Sequence, residues 1–452
     1  MVHYTPTIKM LDREYQKPQS QLIVLYGRPG CGKETYIRHF LRAKPHFYYR
    51  ARDISVSGQA KAFIWEVAKK YCKDPNNLTC EACFAILQEC ADEKPVIVID
   101  EFDHLLKKGS DFLQNLILIK KNAKNQPVMI LLCSSSLVFA EQKMAAAMGN
   151  LFYEIDFTYK FAELSFLDIV RTFPEKPIAE CLEVYSITGG IPAYLRIWDA
   201  RKGTKENIIR HILSERGGLF LEAERYLRTE LRELSVYNTV LAVLAAGSRK
   251  LNELHQDTGF SRAKISVYLK NLMEFEVVEK VVSFDTGCRE NAQKGVYQFK
   301  NTFLHFWFRF VFPYLSDLYL LTPEEFYEAH IAGGLGDYME YYFSRVCMEY
   351  LKLMDRSKRL PAVIDKMGTW VGKQGSIDIV AQNAKQEYIA GMCSWSKEEM
   401  AYGSLEKLEE LVVQARISAK YLYLFSGRSF DMMLKKKAAE DKRVILVDLS
   451  DF

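Results

Sequence analysis

Nine residues, Gly27-Arg-Pro-Gly-Cys-Gly-Lys-Glu-Thr35, set three glycines and a lysine where an apolar run, Leu22 to Tyr26, gives way to a helical pattern. Glycines let backbone N–H groups close around phosphate oxygens. The helix N-terminus adds partial positive charge, and Lys33 has the reach to meet β- and γ-phosphates. Gly27, Arg28, Pro29, Gly30, Cys31, Gly32, Lys33, Glu34 and Thr35 are therefore the candidate nucleotide-binding residues. A glycine-rich strand-to-helix turn with a chance lysine is the alternative, and the strand before and helix after weigh against it.

A second group, Ile97 to Leu105 (IVIDEFDHL), puts two acids at the end of an apolar run. Asp100 would hold Mg2+, directly or through water, and Glu101 would position and polarise the attacking water. Acids after a strand are common in loops. The loop about 70 residues upstream gives this pair its meaning. A third apolar run ends in Cys133-Ser-Ser-Ser136, where Ser135 is a candidate for sensing phosphate or water; serines are also ordinary loop formers, and both readings stand. The residue after Lys33 is Glu34 rather than a hydroxyl. A carboxylate there can ligate Mg2+ but brings negative charge near the phosphates. Thr35 is rotated by about 100° on the helix and cannot simply substitute. Nucleotide binding is expected; efficient hydrolysis does not follow.

The elements that must carry these groups can be read from periodicity. Runs at 22–26, 96–99 and 128–132 suit strands buried on both faces of a parallel sheet. Helical stretches at 60–71 and 112–124 lie between them, so residues 1–160 read as an α/β sandwich. Residues 161–230 turn helical, with a break at Thr188-Gly-Gly-Ile-Pro192, and read as a lid. Residues 231–300 show three short helical patterns, the third capped by Ser261, and then Val277 to Ser283 as a strand pair or wing. That is a winged helix-turn-helix pattern. An aromatic helical linker (301–332, with FLHFWFRFVFPYL from Phe303) precedes a last α/β region at 333–452.

Length and composition narrow the classes. The 452 residues suit about three domains, and 49% hydrophobic with 26% charged residues is an ordinary globular balance. A net charge of +4 is too small at this length to demand a nucleic-acid partner. No run reaches about 18 apolar residues and the start has no apolar leader, so no membrane partner and a cytoplasmic location are expected. The ten cysteines are expected as free thiols. Cys72, Cys80, Cys83 and Cys90 cluster with a zinc-knuckle look. A helix capped by Thr79, with Cys83, Ile86, Leu87 and Cys90 on one face, favours small core hydrophobes instead.

LDRE (11–14), the loop at 27–33, IDEF (99–102), LCSSS (132–136), GGIPAYL (189–195), FLHFWFRFVFP (303–313), GSIDIVA (375–381) and the closing LYLFS with Phe430 together resemble the archaeal-type P-loop ATPases, relatives of AAA+ and STAND ATPases. The resemblance implies ATP and Mg2+ as cofactors and a C-terminal region of winged helix plus PD-(D/E)xK nuclease-like fold. It also implies an adenine-side role for Arg13 and Glu14, although the family's next helix is shortened here. Of the family's arginine-rich loop only Arg28 remains, beside Pro29. The nuclease-like site would need an acid on a helix, for which Glu340 is the candidate, an Asp entering a strand, Asp378, and Glu-x-Lys on the next. This chain has Met392 and Ser394 at the last two places, so cleavage is expected to be absent unless a lysine such as Lys373 or Lys397 has migrated in.

Three functions follow. The first is a slow ATPase or nucleotide-dependent switch, with an unidentified protein partner and an oligomer both left open. The second is a DNA-binding module using Arg262, Lys264 and Lys270, although residues 249–282 hold six basic and five acidic side chains. The third is a scaffold in which both sites have decayed.

Overall fold

A computed structural model describes residues 5–89, 94–106, 111–123, 127–286, 295–361, 363–372, 374–395 and 398–452. It divides into two units, residues 1–163 with 191–193, and residues 164–190 with 194–452.

The first unit runs α1 (Thr5–Tyr15), β1 (Gln21–Tyr26), α2 (Lys33–Phe40), β2 (His46–Arg50), α3 (Val56–Tyr71), α4 (Cys80–Glu89), β3 (Val96–Asp100), α5 (Phe112–Asn122), β4 (Met129–Ser134), α6 (Met144–Met148) and β5 (Phe157–Lys160). Its sheet is wholly parallel, in the order β2-β3-β4-β1-β5. Alternate side chains feed two cores. Leu22, Val24, Ile97, Ile99, Ile130 and Leu132 pack on one face with Phe63 and Leu116, and Ile23, Leu25, Val98 and Leu131 pack on the other with Tyr36 and Phe40. Continuous apolar runs are what a strand covered on both faces needs, so β1, β3 and β4 appear where the sequence places them. β2 and β5 lie at the sheet edges and were not foreseen. Tyr48 and Arg50 of β2 are exposed, as is half of β5, so neither reads as a buried run. The helix expected from residue 60 begins earlier, at Val56, because Ser55 caps it by accepting from the Gly58 N–H at 3.2 Å.

Thr79 caps α4 through the Ala82 N–H at 3.2 Å, and Cys83 and Leu87 are buried as core residues. Cys72 departs from that expectation: it is exposed, ending α3 with a left-handed backbone (φ 53°). Cys90 lies outside the described residues. No His, Cys, Asp and Glu cluster able to hold a metal occurs among the described residues.

The second unit begins with helices α7 (Phe166–Thr172), α8 (Ile178–Thr188), α9 (Pro192–Ile197), α10 (Thr204–Ile208) and α11 (Glu222–Glu230). Between α8 and α9, Gly189 and Gly190 both take positive φ, and a Cβ on Gly190 would stand 2.1 Å from the Leu164 carbonyl oxygen. Only glycine fits there. Helices α12 (Leu234–Ala245), α13 (Leu251–Thr258) and α14 (Arg262–Glu274) follow, and then an antiparallel ribbon of β6 (Val278–Val282) and β7 (Gly295–Phe299). Gly259 closes α13 in the left-handed region, and Ser261 caps α14. α15 (Thr302–Phe310) buries Phe303, Phe306, Trp307, Phe308 and Phe310, as expected of the aromatic stretch.

After α16 (Leu315–Leu320) and α17 (Pro323–His330), the long α18 (Leu335–Arg356) leads into β8 (Lys366–Val371), β9 (Ser376–Gln382), β10 (Tyr388–Ser394), α19 (Gly403–Ala415), β11 (Ala419–Ser426), α20 (Met432–Glu440) and β12 (Val444–Val447). This sheet is mixed, in the order β12-β11-β10-β9-β8, antiparallel at β8/β9/β10 and parallel at β10/β11/β12. Among the described residues no helix is long and apolar enough to cross a membrane.

Candidate functional site

The loop leaves β1 at Gly27, where a Cβ would lie 2.7 Å from the Phe161 carbonyl oxygen. Gly30 (φ 83°) and Gly32 (φ 92°) take the left-handed turns that bring the chain back to start α2 at Lys33. This places the loop at the carboxyl edge of the parallel strands, where open α/β sheets take their ligands. The Gly30 carbonyl accepts the Ala193 N–H at 3.0 Å, so residues 191–193 belong to the wall of this unit. Cys31 is buried, and burial pushes its thiol pKa up. Arg28 is also buried, its guanidinium turned to Glu163 at 2.6 Å.

Lys33 is 3% exposed. Its ammonium donates to Ser135 Oγ at 3.0 Å and lies 3.4 Å from Asp100 and 3.8 Å from Glu101. Burial works against that charge, but Cys133, Glu101 and Asp100 more than offset it, and the pKa lies above the usual lysine value. Cys133 is itself held protonated by burial, so the two carboxylates carry the effect.

Asp100 ends β3, buried, and accepts from the Tyr48 hydroxyl at 2.8 Å through Oδ2. Its Oδ1 is buried with no hydrogen-bond partner among the described residues. That carboxylate oxygen faces the Lys33 ammonium at 3.4 Å and is a hard donor of the kind Mg2+ takes, so Asp100 fits the ion. Glu101 has a left-handed backbone (φ 53°), and Ser135 clamps its carboxylate twice, from N–H at 3.0 Å and from Oγ at 2.5 Å. Ser135 thus bridges Lys33 and Glu101. Ser134 Oγ donates to Asp103 at 3.0 Å. The loop and the acid pair, some 70 residues apart in sequence, meet in space.

Glu34, the second candidate metal ligand, is engaged by a cation instead. Its carboxylate is held by Arg50 at 3.2 Å, and both side chains are about half exposed. Thr35 is exposed on the next position of α2. Arg50 also lies 3.6 Å from Asp100 and 3.7 Å from Glu101. Arg50 and Tyr48 are site residues that the sequence reading missed. The signal was present: an arginine ending an alternating Phe-Tyr-Tyr-Arg stretch is a charge at the carboxyl edge of a strand, once that stretch is recognised as a strand. Arg13 is exposed, and Glu14 is engaged by Lys17 at 2.6 Å and Gln21 at 2.7 Å.

Residues 16–138 match the AAA domain. That AAA domain contains β1, the glycine loop, both acids and Ser135, and its parallel sheet makes the first unit a P-loop NTPase α/β fold. Such a domain implies a nucleotide, usually with Mg2+. Residues 307–436 match a family described as archaeal and bacterial proteins of unknown function. An uncharacterised protein of Methanocaldococcus jannaschii is 26% identical over 386 residues, 83% of each chain. Among solved structures, a Walker-type ATPase of Pyrococcus abyssi is similar over 68% of this chain and 96% of its own, at 16% identity and TM-score 0.49. The ORC2 protein of Aeropyrum pernix, solved as ADPNP–ADP complexes, is similar over 72% and 93%, at 11% identity and TM-score 0.45.

In the second unit, Asp378 on β9 accepts the Cys393 N–H at 2.9 Å, and Glu340 on α18 accepts the Trp395 N–H at 2.5 Å. Burial pushes both carboxyl pKa values up, and for Glu340 the Asp378 charge adds to it. Lys373 and Lys397 lie outside the described residues.

Proposed function

We propose that the chain is an ATP-binding protein acting as a slow ATPase or nucleotide-dependent switch. The observation that carries this reading is the convergence of a buried Lys33, at the mouth of a glycine loop, with Asp100, Glu101 and Ser135 within 4 Å. In this reading Gly27 to Thr35 wrap the phosphates, Lys33 faces the β- and γ-phosphates, and Asp100 is the metal ligand. Mg2+, when bound, supplies charge that offsets the phosphates. Glu101 orients the attacking water once Ser135 releases it, and that clamp is one reason to expect slow turnover. The domains proposed are an ATPase core (1–160), a lid (161–230), a winged helix (231–300), a linker (301–332) and a nuclease-like domain (333–452) that does not cut. The test is calorimetric titration of ATP into wild type and Lys33→Ala; equal affinities would refute the site.

DNA is a second candidate partner, favoured by the exposed face of α14 carrying Arg262, Lys264 and Lys270. Three contacts argue against strong binding: Arg262 donates to Asn252 at 2.8 Å, Lys264 covers Phe260, and Lys270 lies 3.9 Å from Glu274. A salt-dependent gel shift with random duplex DNA tests this.

A further inference from the structure

The departure at Glu34 and the unforeseen Arg50 belong together. In a usual loop of this kind a hydroxyl follows the lysine and ligates Mg2+. Here a carboxylate follows it and adds a negative charge to a site that already holds Asp100 and Glu101. Left uncompensated, Glu34 would repel a triphosphate. The sheet register sets Arg50 beside Asp100, at the carboxyl ends of two neighbouring strands. From there its guanidinium reaches Glu34 at 3.2 Å, Asp100 at 3.6 Å and Glu101 at 3.7 Å. A cation therefore stands among the three carboxylates, on Oδ2 of Asp100, whereas Lys33 contacts Oδ1.

A guanidinium suits that place for three reasons. It keeps its charge at any working pH, it presents a planar fork matched to phosphate oxygens, and it sheds water more readily than an ammonium. Arg50 is about half exposed, so its side chain can exchange a carboxylate for a phosphate without moving the strand.

Building on the ATP reading of this site, we propose that Arg50 serves as the resident counter-cation of the β- and γ-phosphates, so that ATP binds with little dependence on a divalent metal. Glu34 parks the guanidinium while no nucleotide is present. Arrival of a triphosphate draws Arg50 from Glu34, and a diphosphate draws it less. Discrimination between ATP and ADP then rests on Arg50.

The experiment is calorimetric titration of the full chain with ATP and ADP, in excess Mg2+ and in EDTA, for wild type, Arg50→Ala, Arg50→Lys and the Glu34→Ser/Arg50→Ala pair. Wild type should change its ATP affinity by less than about threefold between the two buffers. Arg50→Ala should bind ATP about tenfold or more weakly in EDTA, recover partly in Mg2+, and lose its preference for ATP over ADP. Arg50→Lys should restore part of the EDTA affinity, since the charge remains and the fork does not. The double variant should bind only with Mg2+. Thermal melting without nucleotide should match wild type in every variant, because the pair is half exposed. ATP binding that collapses in EDTA in wild type, or an Arg50→Ala variant identical to wild type, would overturn the counter-cation role while leaving the ATP site standing. No binding of either nucleotide to wild type in either buffer would remove the site itself.

Discussion

Two regions of this chain set carboxylates at strand ends, and they differ in what faces them. Around Asp100 and Glu101, Lys33 and Arg50 approach within 4 Å, and a glycine loop opens beside them. Around Asp378 and Glu340, the neighbouring strand offers Met392, Cys393 and Ser394; backbone N–H groups of Cys393 and Trp395 donate to the acids, and the charge of Lys407 acts on Asp378 without outweighing its burial. In the first region two cations stand among the carboxylates. In the second, burial pushes both carboxyls toward their protonated forms, and Met392 stands where the proposed nuclease-like reading would need a hard oxygen. Acids at strand ends are thus not enough; on the reading proposed above, it is two cations within 4 Å of the carboxylates that mark the first region for a phosphate.

Removing the buried cation, Lys33, should break the contrast most strongly. Lys33→Ala should cost about 3–5 kcal/mol of nucleotide affinity, more than a hundredfold, because it strips a buried charge from between two carboxylates. Calorimetry reads it directly. Next in size, Mg·ATP at about 100 times its Kd should stabilise wild type by about 2.7 kcal/mol and leave Lys33→Ala unmoved, as a thermal melt would show. Absence of any shift in wild type would equate the two regions and favour a scaffold.

Legibility in the sequence followed burial. β1, β3 and β4 are continuous apolar runs because both faces are covered, and the loop and acid pair sit at their ends, so their meeting in space could be read directly. β2 hid itself, since Tyr48 and Arg50 alternate outward from Phe47 and Tyr49, and with it went the arginine that answers Glu34. β8 and β11 were missed in the second unit for a related reason. β8 carries Gly368 beside half-buried residues, and the first half of β11 is only partly covered, so neither gives a clean run. The strand pair or wing expected within Val277 to Ser283 is a single strand there, β6, and its partner β7 lies further along the chain at Gly295–Phe299.

Hydrolysis sharpens the contrast within the first region. Glu34→Thr should raise steady-state phosphate release by about tenfold, by restoring a hydroxyl after the lysine. Unchanged or lower turnover would show that the missing hydroxyl does not limit hydrolysis. In the second region the acids should act on stability alone. Their folded pKa values lie above the unfolded ones, so the folded state holds more protons between the two. Stability is therefore greatest below the unfolded pKa and declines as pH rises through the folded pKa. Asp378→Asn should flatten that decline and change stability at neutral pH by on the order of 1 kcal/mol, measured by urea titration across pH. The smallest expected effect is none: purified protein with single- or double-stranded DNA or RNA, in Mg2+ or Mn2+, should show no cleavage above an Asp378→Ala control. Cleavage that vanishes in the control would return the second region to the nucleases.

The backbone of Glu101 carries a consequence for the evolution of the chain. Its φ of 53° lies where a residue with a Cβ is held at a cost of about 1–2 kcal/mol, and glycine or asparagine would relax it. Selection for heat resistance alone would therefore favour discarding the carboxylate at this position. Glu233 and Glu276 take nearly the same φ, so the strain by itself marks no chemistry; a Glu101→Asn chain that gained heat resistance and lost phosphate release would show the two demands opposed at this position.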